Sequence, residues 1–217
     1  LESLESFVFL DYYDGNYNHM GATISDAMLQ AGLKYDSVVR PRIKRIRAEY
    51  PDAKTTSAFL KLLREVGAKV VLGWSDDEKP NRVVGLAEFF LRQHIETEED
   101  LREWLAVEAN RPALLRVRGM GPKTADYLKI LVGSTTTAVD RHVFAILSEA
   151  GIPTVTYDRA REIMNAAADA LGMDRSCFDH SIWQFMSRRQ SPSTAGMACP
   201  RAQSGSREVC PPGPHTT

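Results

Sequence analysis

The chain has 217 residues, 43% of them hydrophobic and 25% charged, which is ordinary globular composition and enough for one sizeable domain or two small lobes. The formal net charge is −1, so no global basic excess announces a polyanionic partner, and a nucleic-acid site would have to be a local patch. No apolar run approaches the roughly 20 residues of a membrane helix, and Cys177, Cys199 and Cys210 fit neither a disulfide framework nor a zinc pattern.

These totals lead us to expect a reducing, intracellular setting (cytoplasm or nucleoid, or a nucleus), with no membrane association. The opening "LESLESFVFLDYYDG" lacks a basic n-region and an initiator Met, and reads as a trimmed N-terminus rather than a signal peptide.

The periodicity is helical almost throughout. "HMGATISDAMLQAG" repeats Ala22, Ile24, Ala27, Met28 and Ala31 near a 3.6-residue spacing, with Gly32 placed to end it. "YDSVVRPRIKRIRAEYPDAK" starts at Asp36 or Ser37 and carries Pro41 in its first turns, where proline costs least. "TTSAFLKLLREVG" is a third helix, capped by Thr55 or Thr56 and closed by Gly67. The one candidate strand is "KVVLGW", 69–74, and it is short.

"NRVVGLAEFFLRQHI" places Val83, Ala87, Phe90 and His94 on one face, and "TEEDLREWLAVEA" opens with Thr97 and three acids that suit a helix N-terminus. Two further amphipathic helices, "YDRAREIMNAAADALG" and "DRSCFDHSIWQFMSRR", are separated by Gly172 and Asp174. From about Gln190 the chain turns rich in Ser, Pro and Gly without apolar period, which reads as a disordered tail.

The stretch "RVRGMGPKTADYLKILVGSTTTAVDRH", 116–142, carries the chemistry. Gly119 and Gly121 permit backbone with φ > 0, and Met120 between them can tuck back between helices. "RPALLRV" before it and "PKTADYLKIL" after it read as helices, and Pro122 fits a first helical position. The result is helix, tight hairpin, helix, with outward N–H groups that suit a phosphate. Arg111, Arg116, Arg118, Lys123 and Lys129 supply nearby positive charge. An ordinary αα-hairpin with a Gly-rich turn reads equally well from Gly-x-Gly alone.

Asp140 precedes the apolar helix of Val143, Phe144, Ile146 and Leu147, so it is an N-cap candidate. Lys123 and Asp140 each begin a helix, 17 positions apart. Consecutive antiparallel helices need not bring their starts together, and spacing alone leaves the distance between the two side chains open.

The pairing of "VRGMGPKTA" with "AVDRH" at this separation resembles the helix-hairpin-helix DNA glycosylase superfamily, the endonuclease III and 8-oxoguanine glycosylase group. The likeness extends outward to "NRVVGLAEFFLRQH" and "CFDHSIWQFMSRR" and covers residues 20 to 189. It implies an all-α fold of two helical lobes around a DNA-binding cleft. One lobe would run over about 20–74 plus 157–189, the other over about 75–150, within a domain of residues 1–189.

The resemblance gives Lys123 as the amine that attacks C1′ and Asp140 as the catalytic carboxylate. Arg118, Gly119, Met120, Gly121 and Thr124 become the DNA-binding hairpin. An unprotonated amine forms a Schiff base with a sugar carbon, and a carboxylate stabilises oxocarbenium-like charge there. Lys123 implies lyase activity, though a lysine here can instead serve DNA contact alone, with Asp140 directing water. A third alternative is a non-catalytic helix-hairpin-helix binding module. The expected partner is double-stranded DNA bearing a modified, mismatched or abasic nucleotide, bound by a monomer. Arg118 replaces the family's usual proline, and the four-cysteine iron–sulfur loop is absent. No cofactor is expected beyond a monovalent cation at the hairpin.

Other features are weighed beside this reading. "RPRIKRIR" aligns Arg40, Lys44 and Arg47 on one face, either a solvated surface or a phosphate contact. Leu33, Lys34 and Tyr35 stand where relatives carry a loop that wedges into the space left by a flipped base. Trp74, Trp104 and Trp183 read as core, His142 as a local packing residue, and Asp179 and His180 as support behind the site.

Overall fold

The computed structural model describes residues 7–11 and 15–190, and the tail with Cys199 and Cys210 lies outside the described residues. Among the described residues the architecture is all-α, without a strand. Helix α1 (Met20–Leu29) is buried at every position, which explains its apolar composition on all sides. His19 caps it: Nδ1 accepts from the Ala22 N–H at 3.1 Å, so the other ring nitrogen is the one that donates to Tyr50 O at 2.9 Å. At its far end Lys79 Nζ donates to the carbonyls of Met28 and Ala31, at 3.0 and 2.9 Å, taking up orphan acceptors before Gly32 turns the chain at φ +77°.

A π-helical turn, Tyr35–Val39, leads into α2 (Arg40–Glu49), with Pro41 in its first turn as expected. The third predicted helix is split. α3 (Thr56–Leu62), capped by Thr55, passes into a π-helical turn, Leu63–Gly67, and Gly67 at φ +94° ends it. The candidate strand at 69–74 is helical: α4 spans Ala68–Leu72, and Gly73 terminates it in the left-handed conformation. Its terminal carbonyls are taken by arginines of α2, with Arg45 donating to Val71 O at 2.6 Å and Arg42 to Gly73 O at 3.2 Å. Tertiary capping thus overrides the β-branched pair Val70 and Val71.

α5 (Glu78–Arg92) starts three residues earlier than its apolar period, with Pro80 in the first turn. α6 (Glu98–Ala106) opens on a capping box between Thr97 and Asp100. α7 (Arg111–Leu115) and α8 (Pro122–Leu131) flank the hairpin, followed by α9 (Arg141–Glu149), α10 (Tyr157–Ala170) and α11 (Arg175–Gln190).

The apolar cores divide the chain differently from the expected lobes. One core gathers residues from Met20 to Val132, centred on α1 with Phe59, Leu86 and Phe90 fully buried. The second gathers Val139, Val143, Ile146 and Leu147 with Met164, Phe178, Ile182 and Phe185, drawn from α9, α10 and α11. The reason lies in which faces pair. α8 buries Leu128 and Leu131 in the first core, whereas α9 turns Val143, Ile146 and Leu147 toward α10 and α11. α9 therefore belongs with the late helices rather than with the hairpin.

A buried charge cluster bridges the two cores. Asp126 of α8 is fully buried and accepts from Arg111 at 2.7 Å, from Arg161 of α10 at 3.1 Å and from the Tyr157 hydroxyl at 2.7 Å. Burial and then the Asp126 charge hold the Tyr157 phenol far above its ordinary pKa, so it stays a donor. Removing the carboxylate would leave two guanidiniums that are 14% and 21% exposed with only the exposed carboxylates of Glu108 and Asp158 as partners. Asp126→Ala should therefore lower unfolding free energy by about 3–5 kcal/mol and Tyr157→Phe by about 1 kcal/mol, read from urea denaturation. A loss under about 1 kcal/mol for Asp126→Ala would contradict the cluster's role in joining the cores.

Candidate active site

The hairpin is a compact turn. Val117 N–H donates to Leu114 O and Met120 N–H to Val117 O, both at 3.0 Å, and the Met120 side chain plugs into the first core. Gly119 sits at φ +86°, and a Cβ there would meet Arg82 Cδ at 2.6 Å. Gly121 is different: its backbone is extended, φ −106° and ψ 174°, with open space where a Cβ would go. Of the two hairpin glycines, only Gly119 uses the left-handed freedom expected of both.

The ends of α8 follow helix chemistry. Pro122 occupies the first turn, and the N–H groups of Lys123 and Thr124 have no intrahelical acceptor at that position. The Thr124 side chain is buried, so like Met120 it could meet a ligand only through its backbone. The positive charge expected around the hairpin is largely used internally. Arg111 is held by Asp126, Arg118 by Glu78 at 2.8 Å and Lys129 by Glu108 at 3.4 Å, while Arg116 has no ion-pair partner among the described residues.

Lys123 and Asp140 come together. Lys123 Nζ lies 3.7 Å from Asp140 Oδ2 and donates to Gln30 Oε1 at 3.2 Å. Asp140 is also the N-cap of α9, with Oδ1 accepting from His142 N at 2.7 Å and Val143 N at 3.2 Å. One carboxylate oxygen closes the helix and the other faces the lysine. The pair spans the two cores, Lys123 on α8 and Asp140 opening α9, so its geometry depends on how those cores sit together.

Both residues line a cleft enclosing about 650 Å³, part of it open to solvent. Three walls matter. Gln30 stands at the end of α1; its Oε1 is held by Lys123, while Nε2 is buried without a protein partner among the described residues. Tyr35 and Tyr127 form a second wall, backed by the buried carboxylate of Asp26, which accepts from Tyr35 at 2.9 Å, Tyr127 at 3.2 Å and Tyr17 at 2.6 Å. Burial, then the Asp26 charge, pushes the Tyr17 and Tyr127 phenols far above their ordinary range and keeps both protonated.

The third wall comes from α11: Asp179, His180 and Trp183. The His180 and Trp183 rings stack, with centroids 5.6 Å apart, and Tyr35 meets Trp183 edge-on. Burial and then repulsion from Asp140 push the Asp179 carboxyl well above the usual carboxylate range. A carboxyl group with a raised pKa, an amide donor and an aromatic face thus share one cleft with an amine and a second carboxyl group. The arrangement can hydrogen-bond a flat heterocycle and set a nucleophile against a neighbouring carbon.

Several sequence expectations change here. Trp183 is a cleft wall rather than core, and Asp179 and His180 line the cleft directly. Trp74 and Trp104 both pack, partly buried, against the first core as expected, Trp104 edge-on to Phe89 and Trp74 under Arg42. Tyr35 and Leu33 are drawn into the cleft wall and the first core, which leaves Lys34 as the exposed member of the proposed wedge loop. His142 is a buried packing residue, and burial lowers its pKa.

Asp26, Gln30 and Tyr127 were missed. The available signal was a carboxylate and an amide one turn apart, on the same face of an otherwise apolar helix. Among the described residues no group of three or more His, Cys, Asp or Glu side chains is placed to hold a metal ion. Cys177 is buried, and burial raises its thiol pKa, the mark of an inert cysteine.

The chain belongs to the family described as a domain of unknown function (DUF8548), which matches residues 10–187. No curated protein matches it. Two solved structures are similar. The 8-oxoguanine DNA glycosylase Tm1821 of Thermotoga maritima is 19% identical, over 76% of this chain and 78% of that one, with a TM-score of 0.49. The 8-oxoguanine DNA glycosylase of Methanocaldococcus jannaschii is 16% identical, over 76% of each chain, with a TM-score of 0.47.

The hairpin and the cleft each make a stability prediction. Gly119→Ala should cost about 1–2 kcal/mol, with further loss if Arg82 leaves Glu78, whereas Gly121→Ala should stay within about 0.5 kcal/mol; equal losses in urea melts would contradict the turn geometry. For Asp179, the folded carboxyl keeps its proton to higher pH than the unfolded one. The native state therefore binds more protons, and wild-type stability falls as pH rises from the ordinary carboxylate range through the raised pKa. Asp179→Asn cannot titrate there, so its stability relative to wild type should climb across that window. A difference that stays flat with pH would show that Asp179 is ionised in the folded protein.

Proposed function

We propose that this DUF8548 protein is a base-excision-repair DNA glycosylase with associated lyase activity. The observation that carries the reading is the 3.7 Å approach of Lys123 Nζ to Asp140 Oδ2 at the mouth of an aromatic-walled cleft, directly behind a helix-hairpin-helix turn. The sequence pattern "VRGMGPKTA" with "AVDRH", which resembles the glycosylase superfamily, independently supports the same two residues.

In this reading the hairpin backbone and the N-terminus of α8 receive phosphate, and the damaged or mismatched nucleotide leaves the stack because its glycosidic bond is unreachable within it. The base enters the cleft beside the contacting Trp183 and Tyr35 rings, where Gln30 Nε2 and the Asp179 carboxyl face it. Lys123, having lost a proton, forms a bond to C1′ as the C1′–N bond to the base breaks and the base departs with a proton. Asp140 Oδ2 takes the lysine proton and passes it on to the departing base, so the carboxylate is free again to stabilise the positive charge developing at C1′. Opening of the sugar ring gives the Schiff base. Loss of a C2′ proton then breaks the C3′–O bond and nicks the strand.

A second reading uses Asp140 to direct water while Lys123 stays paired with Gln30 and Asp140. It differs in one product: the base is released without a nick.

Strand cleavage on a duplex containing one abasic site separates these readings. Wild type should nick it, and Lys123→Ala should be slower by about 100-fold or more. Asp140→Asn should also lose activity by about 100-fold or more while keeping its thermal stability, because Asn caps a helix as well as Asp does. Base release from lesion-bearing duplexes without nicking by wild type would favour water. Neither base release nor nicking, from protein that binds DNA, would contradict both.

A further inference from the structure

The basic run "RPRIKRIR" is divided by the fold. Arg40 pairs with Asp36 at 2.9 Å. Arg42 and Arg45 close the C-terminus of α4, and Arg42 also lies over Trp74 at 4.9 Å. Lys44 and Arg47, one turn apart on α2, are turned elsewhere. With Lys54 they line a concavity largely open to solvent, bounded by Tyr17, Asn18 and His19. All three cations are exposed, none has a carboxylate partner among the described residues, and no acidic side chain lines the concavity. The Arg47 guanidinium rests over the Tyr17 ring at 5.2 Å, which holds its charge at the rim.

Two observations give this cluster a ligand. The first is location. The Tyr17 hydroxyl bonds Asp26 and lies 3.3 Å from the Tyr35 hydroxyl, and Tyr35 lines the catalytic cleft. The concavity and the cleft are therefore neighbours, joined through one tyrosine pair. The second is charge supply. A chain of net charge −1 can hold a polyanion only through local patches, and at the hairpin Arg111, Arg118 and Lys129 are already neutralised by carboxylates. Three uncompensated cations converge here instead.

We propose that the Lys44–Arg47–Lys54 concavity holds a backbone phosphate of the bound DNA outside the extruded nucleotide, an inference that rests on the DNA-directed reading above. The contact is electrostatic and carries no sequence information, so it adds affinity and fixes the path of the strand past the cleft.

The test is fluorescence anisotropy of the full chain on a labelled duplex of about 25 base pairs carrying a stable abasic analogue, titrated at several salt concentrations. Lys44→Ala with Arg47→Ala should raise Kd by about tenfold or more near 0.15 M salt and reduce the slope of log Kd against log salt by about 1–2. Lys54→Glu alone should act in the same direction. The thermal midpoints of the variants should stay close to that of wild type, because all three side chains are exposed. Arg159→Ala, which removes an exposed cation on α10, should leave Kd and slope unchanged.

A double variant with wild-type affinity and slope overturns the proposal and leaves the glycosylase reading standing, as does Arg159→Ala matching the double variant's loss. A wild type with no salt-dependent binding to the duplex overturns both.

Discussion

A carboxylate buried between two guanidiniums holds the halves of this protein in register. Asp126 lies on α8, three residues after Lys123, so whatever fixes Asp126 also fixes the start of that helix. Its partners Arg161 and Tyr157 lie on α10, which packs with α9, and α9 begins at Asp140. The chain of constraint therefore runs from Lys123 through α8 to Asp126, across to α10, and back through α9 to Asp140. The Asp126 carboxylate is costly to bury and meets both guanidiniums only in the assembled arrangement, so the cluster favours one relative placement of the cores. The approach of amine to carboxylate depends on that placement.

Asp140 can cap α9 and face Lys123 at once, because its two oxygens point different ways. Oδ1 takes the N–H groups of His142 and Val143, and Oδ2 faces Lys123. Burial keeps the phenols of Tyr17 and Tyr127 protonated and pushes the Asp179 carboxyl upward, which disfavours further negative charge near Asp140.

Much of the helical framework was legible in the sequence because its signals are local. Thr97 with Asp100, Asp140 before its apolar run, and Gly67 at a helix end each act within a turn. The division into cores was not legible, because it depends on which face of α9 meets which neighbour, and a helix buried on all sides such as α1 presents no preferred face. The fate of the basic run was hidden for a related reason. Arg42 and Arg45 cap α4, and α4 itself read as a possible strand. At the site, Lys123 and Asp140 stood out by pattern, but their separation is set by the Asp126 cluster. Asp26 and Gln30 looked like polar interruptions of an apolar helix until the tyrosines and the lysine that they hold were in place.

The proposed lyase chemistry turns on one particular amine, Lys123 Nζ, as the group that would bond to DNA. The most direct measurement is reduction with borohydride during reaction on an abasic duplex, followed by proteolysis and mass mapping of the modified residue. The sugar adduct is expected on Lys123, with Asp140→Asn lowering its yield. An adduct confined to another lysine, or no adduct from protein that binds and processes the DNA, would contradict it.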